Sequence, residues 1–242
     1  MSDKKVHEAG DKGLALWLME TGGAGLFGFW LAFSLLKFGN PVVLADKITA
    51  PEGFWQFVLN AWPVDWGYVI LALVALFSLF RWSWPRTAPL RMVVLPAAWL
   101  FFQVLASLHT VDTALTSRTL LHFSSVAAAF YFGLCVFSKM QDARLFWVLF
   151  LGAFAQVLIV GFYQHFVGLE ETRRYFFAYE IQNYPNGPPA ELLKKLSSNR
   201  IYSTLFYPNT LAAVIILVTP PFLARIGFLH ATRPARAVLL WP

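Results

Sequence analysis

The sequence alternates long apolar stretches with short polar segments, and this alternation limits the possible folds more than any other feature. About 20 predominantly apolar residues cross a bilayer as a helix, because lipid offers the backbone no hydrogen-bond partners. The apolar stretches that reach or approach this length are residues 21–38, 66–80, 92–108, 118–138, 145–167 and 204–224. We therefore predict an all-α, polytopic transmembrane helix bundle with six full spans.

The composition agrees with a membrane protein, since only 13% of the residues are charged, against about 25% in soluble domains. Ten Trp and 24 Phe suit aromatic belts at both membrane interfaces. The net charge of +6 follows the predicted topology and does not indicate nucleic-acid binding. The single cysteine, Cys135, argues against a disulfide framework and a thiolate metal site.

Lys and Arg residues cluster in alternate polar segments, and this bias orients the chain. Eleven of them lie in residues 1–20, 81–91, 139–144 and 225–236, whereas the two shorter loops on the opposite side hold three. The five in the long loop, residues 168–203, count for less because acidic residues balance them. We predict a cytosolic N-terminus and an outward-facing long loop, which in a bacterium lies in the periplasm.

This topology divides the chain into four regions. Residues 1–20 form a cytosolic or interfacial segment, 21–167 hold helices 1 to 5, 168–203 form the long periplasmic loop, and 204–242 hold helix 6. The last residues, 237–242, begin another apolar run that is too short to span. We expect them to be the start of a truncated seventh helix in a longer protein. The alternative is a six-helix chain with a short interfacial tail.

Candidate functional residues are concentrated where the long loop meets helix 6. Arg200 precedes the helix-start signal Ser203-Thr204, and Pro208-Asn209 mark a point where a helix begins or bends. The N–H groups and dipole of a helix N-terminus attract anions, and a guanidinium adds forked donors. Together they suit a phosphate or diphosphate at the membrane surface. A capped transmembrane helix with a snorkelling arginine fits the same residues equally well.

A second polar face is predicted on helix 4. Arg118, His122 and Ser125 recur at helical spacing and so share one face. Ionisable groups within a span are costly, so this face is a candidate to share a ligand with Arg200. We favour the simpler interpretation, in which Arg118 lies at the interface and His122 is hydrogen-bonded to a neighbouring helix.

Further candidates lie at the end of helix 5 and in the long loop. His165 is placed where a general base is reachable from the periplasm, although an interfacial histidine among aromatic residues is favoured. Arg173 and Arg174 suit lipid headgroups, a lipid diphosphate or a polyanionic glycan. Lys194 and Lys195 are interpreted as solvated loop residues.

Several absences narrow the chemistry. No carboxylate lies inside a predicted span, apart from Glu20 near the start of the first, which gives little support to a proton-relay transporter. The outer loops contain no cluster at metal-ligand spacing, and the chain contains no nucleotide-binding loop. We therefore predict no metal and no cofactor.

The segment from Arg200 to Ala212 resembles the O-antigen ligase and polymerase superfamily. Members carry Arg, a small residue with Thr, then Pro-Asn and a Leu-Ala helix start, as this sequence does. Residues 111–116, before the fourth span, are also similar to bacterial members. Ser203 and Tyr207 depart from the pattern, since Gly and Asn are typical there.

The resemblance implies a metal-independent, multi-pass glycosyltransferase of the bacterial inner membrane, acting in lipopolysaccharide or polysaccharide biosynthesis. Its donor is a glycan on undecaprenyl diphosphate, and its acceptor is lipid A core for a ligase or another glycan for a polymerase. Arg200 is implied as a donor-diphosphate ligand, with Ser203, Thr204 and Asn209 shaping the helix start. Members have further spans and a later loop with another Arg and the proposed catalytic His, so we expect this sequence alone to be inactive.

Two other functions remain open from the sequence. A transporter or flippase for a lipid-linked or anionic solute would use Arg118 and Arg200 to line a path. Polar groups along the third and fifth spans are limited to Gln103, Gln156 and Gln164. A non-catalytic membrane scaffold would fit a complete six-helix chain.

Overall fold

All regular structure in the described part of the chain is helical, as the apolar stretches predict. A computed structural model describes residues 21–79, 82–84, 88–140, 142–184, 187–188 and 190–232. The predicted N-terminal segment, residues 1–20, and the start of a seventh helix, residues 237–242, lie outside the described residues.

The α-helices in the described part of the chain range from 6 to 25 residues in length. Their bounds are α1 Thr21–Leu36, α2 Phe54–Leu59, α3 Val64–Leu79, α4 Leu90–Ala106, α5 Thr113–Cys135, α6 Arg144–Tyr163, α7 Leu169–Tyr175, α8 Ala190–Ser197 and α9 Pro208–Thr232. Short 3-10 turns cover Val42–Lys47, Ser107–His109, Phe137–Lys139 and Ile181–Asn183, and π-helical turns cover Gln164–Gly168 and Phe176–Glu180.

Four helical stretches are long and apolar enough to cross a membrane, which confirms a membrane-type helical protein at this coarser level. They are Leu90–His109, Thr113–Lys139, Arg144–Tyr179 and Pro208–Gly227. The apolar helices α1 and α3 are shorter, and at 16 residues α3 is about 24 Å long, against a hydrocarbon core of about 30 Å. Six full spans and the orientation of the N-terminus therefore stay predictions.

The chain divides into two compact units, residues 1–152 and 153–242. In the first unit α1 packs antiparallel to α3, and the buried residues of this contact are Phe27, Trp30, Leu71 and Val74. The Trp30 indole N–H donates to the Gly67 carbonyl at 2.8 Å. On another side of α1, a Cβ at Gly28 would lie 2.7 Å from the Phe146 Cα, so only glycine allows this close approach.

The helix that begins as α6 at Arg144 continues far beyond residue 167, the predicted end of the fifth span. The π-helical turn Gln164–Gly168 leads directly into α7, so the first part of the predicted loop 168–203 is helical. Acidic residues begin α7 and basic residues end it, which is the arrangement that a helix dipole favours. The stretch Arg144–Tyr179 has 36 residues and is about 54 Å long, which exceeds the hydrocarbon core of a bilayer, about 30 Å thick.

Candidate functional site

Arg200 lies beside the first turn of α9. Its Nη2 donates to the Asn209 Oδ1 at 2.7 Å, and its backbone N–H donates to the Ser198 Oγ at 3.2 Å. The side chain is exposed. A guanidinium carries five N–H donors, and Asn209 accepts from one of its nitrogens. A cation with remaining donors is therefore held at the N-terminus of a helix, where the unpaired N–H groups of the first turn also attract anions.

The helix itself begins at Pro208, so the prediction that it starts at Thr204 is wrong by four residues. Proline suits the first helical position because its φ is already helical and it has no N–H to leave unpaired. The first helical hydrogen bond runs from the Leu211 N–H to the Tyr207 carbonyl at 3.2 Å. Ser203 and Thr204 consequently precede the helix in a turn, whereas Asn209 belongs to its first turn.

Gln164 fixes the turn that precedes α9, which we call the pre-α9 segment (residues 198–207). Its Oε1 accepts from the Ser203 N–H at 2.7 Å and from the Tyr202 N–H at 3.2 Å. Its Nε2 donates to the Ser203 carbonyl at 3.0 Å. One side chain thus satisfies three backbone groups of this segment, and the residues that follow Arg200 are held in a single conformation.

Gln164 was not predicted as a site residue. In the sequence it is only one of three glutamines in the third and fifth predicted spans. The structural signal is the π-helical turn Gln164–Gly168, which interrupts the regular helix where this amide lies. Such turns often occur at functional sites because they change the direction of a side chain. An amide that ends an apolar stretch also needs partners, but the sequence does not show which residues supply them.

Ser203 is the strained residue of the pre-α9 segment. It is 5% exposed, its φ is 55°, and its hydroxyl donates to the Val157 carbonyl at 2.5 Å. Left-handed backbone is unfavourable for residues other than glycine, and glycine is the residue typical of the resembled family at this position. The serine hydroxyl therefore offsets part of a conformational cost that glycine would avoid.

Replacement of Ser203 separates these two effects. Ser203→Ala loses the buried hydrogen bond and keeps the left-handed backbone, so we expect it to lower the free energy of unfolding by about 1 kcal/mol. Ser203→Gly loses the same bond but relieves the strain, so we expect stability close to that of the wild type. Thermal unfolding of the purified protein in detergent measures both. An alanine variant as stable as the glycine variant would show that the φ of 55° carries no cost.

Arg173 and Arg174, both predicted as diphosphate ligands, have different surroundings. Arg173 donates to the Leu196 and Ser198 carbonyls at 2.7 and 3.0 Å and to the Asn199 Oδ1 at 2.6 Å. It also pairs with Glu170 at 3.3 Å. These contacts give Arg173 a structural role, because it caps the C-terminal end of α8. Arg174 is highly exposed and contacts Glu170 at 3.4 Å.

Lys195 is not the solvated loop residue that the sequence suggested. Its ammonium lies 3.0 Å from the ring centroid of Phe206, and the rings of Tyr202 and Tyr207 are within 6 Å. Burial in this aromatic surround lowers the pKa of Lys195. Cation–π contact of this kind holds α8 against the pre-α9 segment.

Arg118 belongs to the first unit, where it pairs with Asp46 at 2.5 Å. The hydrogen bond from Arg118 lowers the pKa of the Asp46 carboxyl. The predicted hydrogen bond of His122 to a neighbouring helix is not found, since its Nδ1 is buried without a partner among the described residues. A ligand shared by Arg118 and Arg200 stays a prediction.

His165 lies in the π-helical turn and is exposed. Its ring contacts that of Phe166 edge-on at a centroid distance of 4.9 Å. This is the surround expected of an interfacial histidine, and it leaves the imidazole accessible. Among the described residues, no group of three or more His, Cys, Asp or Glu could hold a metal ion.

Comparison of the chain with protein-family models, with curated proteins and with solved structures finds no match.

Proposed function

We propose that the protein is a glycosyltransferase of the bacterial inner membrane that resembles O-antigen ligases and polymerases. In this proposal it transfers a glycan from undecaprenyl diphosphate to lipid A core or to another glycan on the periplasmic side. The observation that carries the proposal is the Arg200 guanidinium, held by Asn209 at 2.7 Å beside the first turn of α9.

The chemistry of such a transfer explains why this arrangement is suitable. The bond between the sugar and the diphosphate breaks, and negative charge develops on the departing diphosphate. A guanidinium and the N–H groups of a helix N-terminus stabilise that charge through charge-assisted hydrogen bonds. Neither group needs a metal ion to do so.

Rigid placement of the cation adds to this effect. Donors that are already positioned do not have to reorganise while charge develops. Gln164 holds Tyr202 and Ser203 through three hydrogen bonds, and Arg173 holds Ser198 and Asn199 through two. Arg200 therefore lies between two fixed parts of the pre-α9 segment.

A binding measurement tests the proposal directly. The purified chain in lipid nanodiscs is titrated with undecaprenyl diphosphate and with undecaprenyl monophosphate. We expect the diphosphate to bind about tenfold more tightly, because it offers a second charged group to the guanidinium and the helix start. Equal affinity for the two lipids would contradict a diphosphate site. Transfer of labelled glycan to an acceptor by the full-length protein then distinguishes an enzyme from a flippase, which would move the donor lipid unchanged.

A further inference from the structure

The short helix α2 exposes an unusually apolar surface. Five of its six residues are apolar, and none is buried. Phe54, Trp55 and Leu59 are 71%, 70% and 73% exposed. Such a contiguous set of large side chains is unusual on a surface that faces water.

The position of α2 in the fold puts this surface next to the ends of two apolar helices. It lies in the connection between α1 and α3, two apolar helices that pack antiparallel. The Trp62 N–H donates to the Lys37 carbonyl at 3.0 Å, which closes the connection where α1 ends. Asp46, in the same connection, pairs with Arg118 of α5, and both side chains are exposed. The connection therefore exposes charged groups as well as the apolar side chains of α2.

The backbone of α2 is adapted to a site with little water. Three carbonyls at its C-terminal end accept hydrogen bonds from side chains. Lys37 donates to Val58 and, at 3.0 Å, to Asn60, while the Trp62 indole donates to Phe57 at 2.8 Å. At the other end the Glu52 N–H donates to the Gln56 Oε1 at 2.9 Å. Side-chain partners for helix ends matter most where lipid replaces water.

We infer that α2 lies in the boundary between lipid headgroups and acyl chains, with Phe54, Trp55 and Leu59 inserted into membrane lipid. It is exposed and almost wholly apolar, it connects two apolar helices, and its tryptophan suits the interface. The helix anchors the α1–α3 connection to the leaflet at which α1 ends. This inference does not depend on the proposed glycosyltransferase function.

Quenching of a fluorescent label tests the insertion. In a Cys135→Ala background, which removes the one native cysteine, Trp55→Cys is labelled with an environment-sensitive fluorophore. Glu52→Cys, just before α2, is the matched control. Both proteins are reconstituted into phosphatidylethanolamine and phosphatidylglycerol vesicles. A nitroxide near the headgroup end of the acyl chain is expected to quench the label at 55 severalfold more than aqueous iodide does, and the order is expected to reverse at 52.

Two outcomes would overturn the inference. Efficient quenching of the label at 55 by iodide would place α2 in water. Quenching by neither agent would mean that protein, such as a second copy of the chain, covers the helix. Leu59→Cys provides a second reporter at the other end of α2 if the Trp55 variant does not fold, and the thermal transition of each labelled protein establishes that it does.

Discussion

Arg200→Ala is expected to reduce glycan transfer by the full-length protein at least about 100-fold, with membrane insertion unchanged. Removing one preorganised donor to a developing negative charge typically costs roughly 2.7–4 kcal/mol of transition-state stabilisation. Insertion is expected to persist because the side chain is exposed and its guanidinium donates a hydrogen bond to Asn209. Glycan ladders from cells that carry the variant measure transfer. The protein level in membranes, measured in parallel, reports insertion.

Two other variants make this prediction specific. Arg174→Ala removes a highly exposed arginine that pairs only weakly with Glu170, and we expect little change in transfer. Arg200→Lys keeps the charge but loses the forked geometry, so we expect an intermediate loss. Ladders of wild-type length and intensity from Arg200→Ala would remove Arg200 from the mechanism. An equal loss from Arg174→Ala would indicate a general effect of positive charge.

Gln164→Ala should destabilise the second unit more than any other single change considered. It leaves the N–H groups of Tyr202 and Ser203 and the Ser203 carbonyl without their partner. An unsatisfied buried polar group costs about 1–3 kcal/mol. These three groups are partly buried, so we expect a loss of about 3 kcal/mol for the set. Thermal or denaturant unfolding in detergent measures it, and binding of undecaprenyl diphosphate should weaken in parallel.

Gln156→Ala is the matched control for this experiment. The residue has the same chemistry and lies on the same helix, but it is exposed, so we expect a change within about 0.5 kcal/mol. Gln164→Glu keeps an acceptor for the two N–H groups and loses the donor to the Ser203 carbonyl, which predicts an intermediate effect. If Gln164→Ala unfolds like Gln156→Ala, the three hydrogen bonds do not stabilise the pre-α9 segment.

Length and apolarity were sufficient to predict α4 within two residues at each end, because lipid permits few other structures. The helix α5 begins five residues before the predicted Arg118, where the Asp112 carboxylate caps it by accepting from the Leu115 N–H at 2.9 Å. The same criteria failed for α7. Its charged residues lower the local hydropathy, which predicts a loop. Their order along the chain, with acidic residues first and basic residues last, stabilises a helix through its dipole.

The candidate site also contains contacts that the sequence predicts and contacts that it does not. Arg200 and Asn209 are close in sequence, so their proximity at a helix start was predictable. Gln164 and Ser203 are 39 residues apart, and no local pattern connects them. The aromatic surround of Lys195 likewise depends on how α8 folds back, and a lysine in a polar loop gives no sign of it.

The helix that contains Gln164 and Arg173 is continuous, and these two residues are nine positions apart, which is about 14 Å along its axis. Arg173 donates to the Ser198 carbonyl and Gln164 accepts from the Ser203 N–H, so the two residues bind opposite sides of Arg200 in the sequence. The stretch around Arg200 is therefore held along one helix at two points. If this helix spans a bilayer, a change in bilayer thickness that alters its tilt would move the guanidinium as well, and the height of the cation above the lipid would depend on membrane thickness.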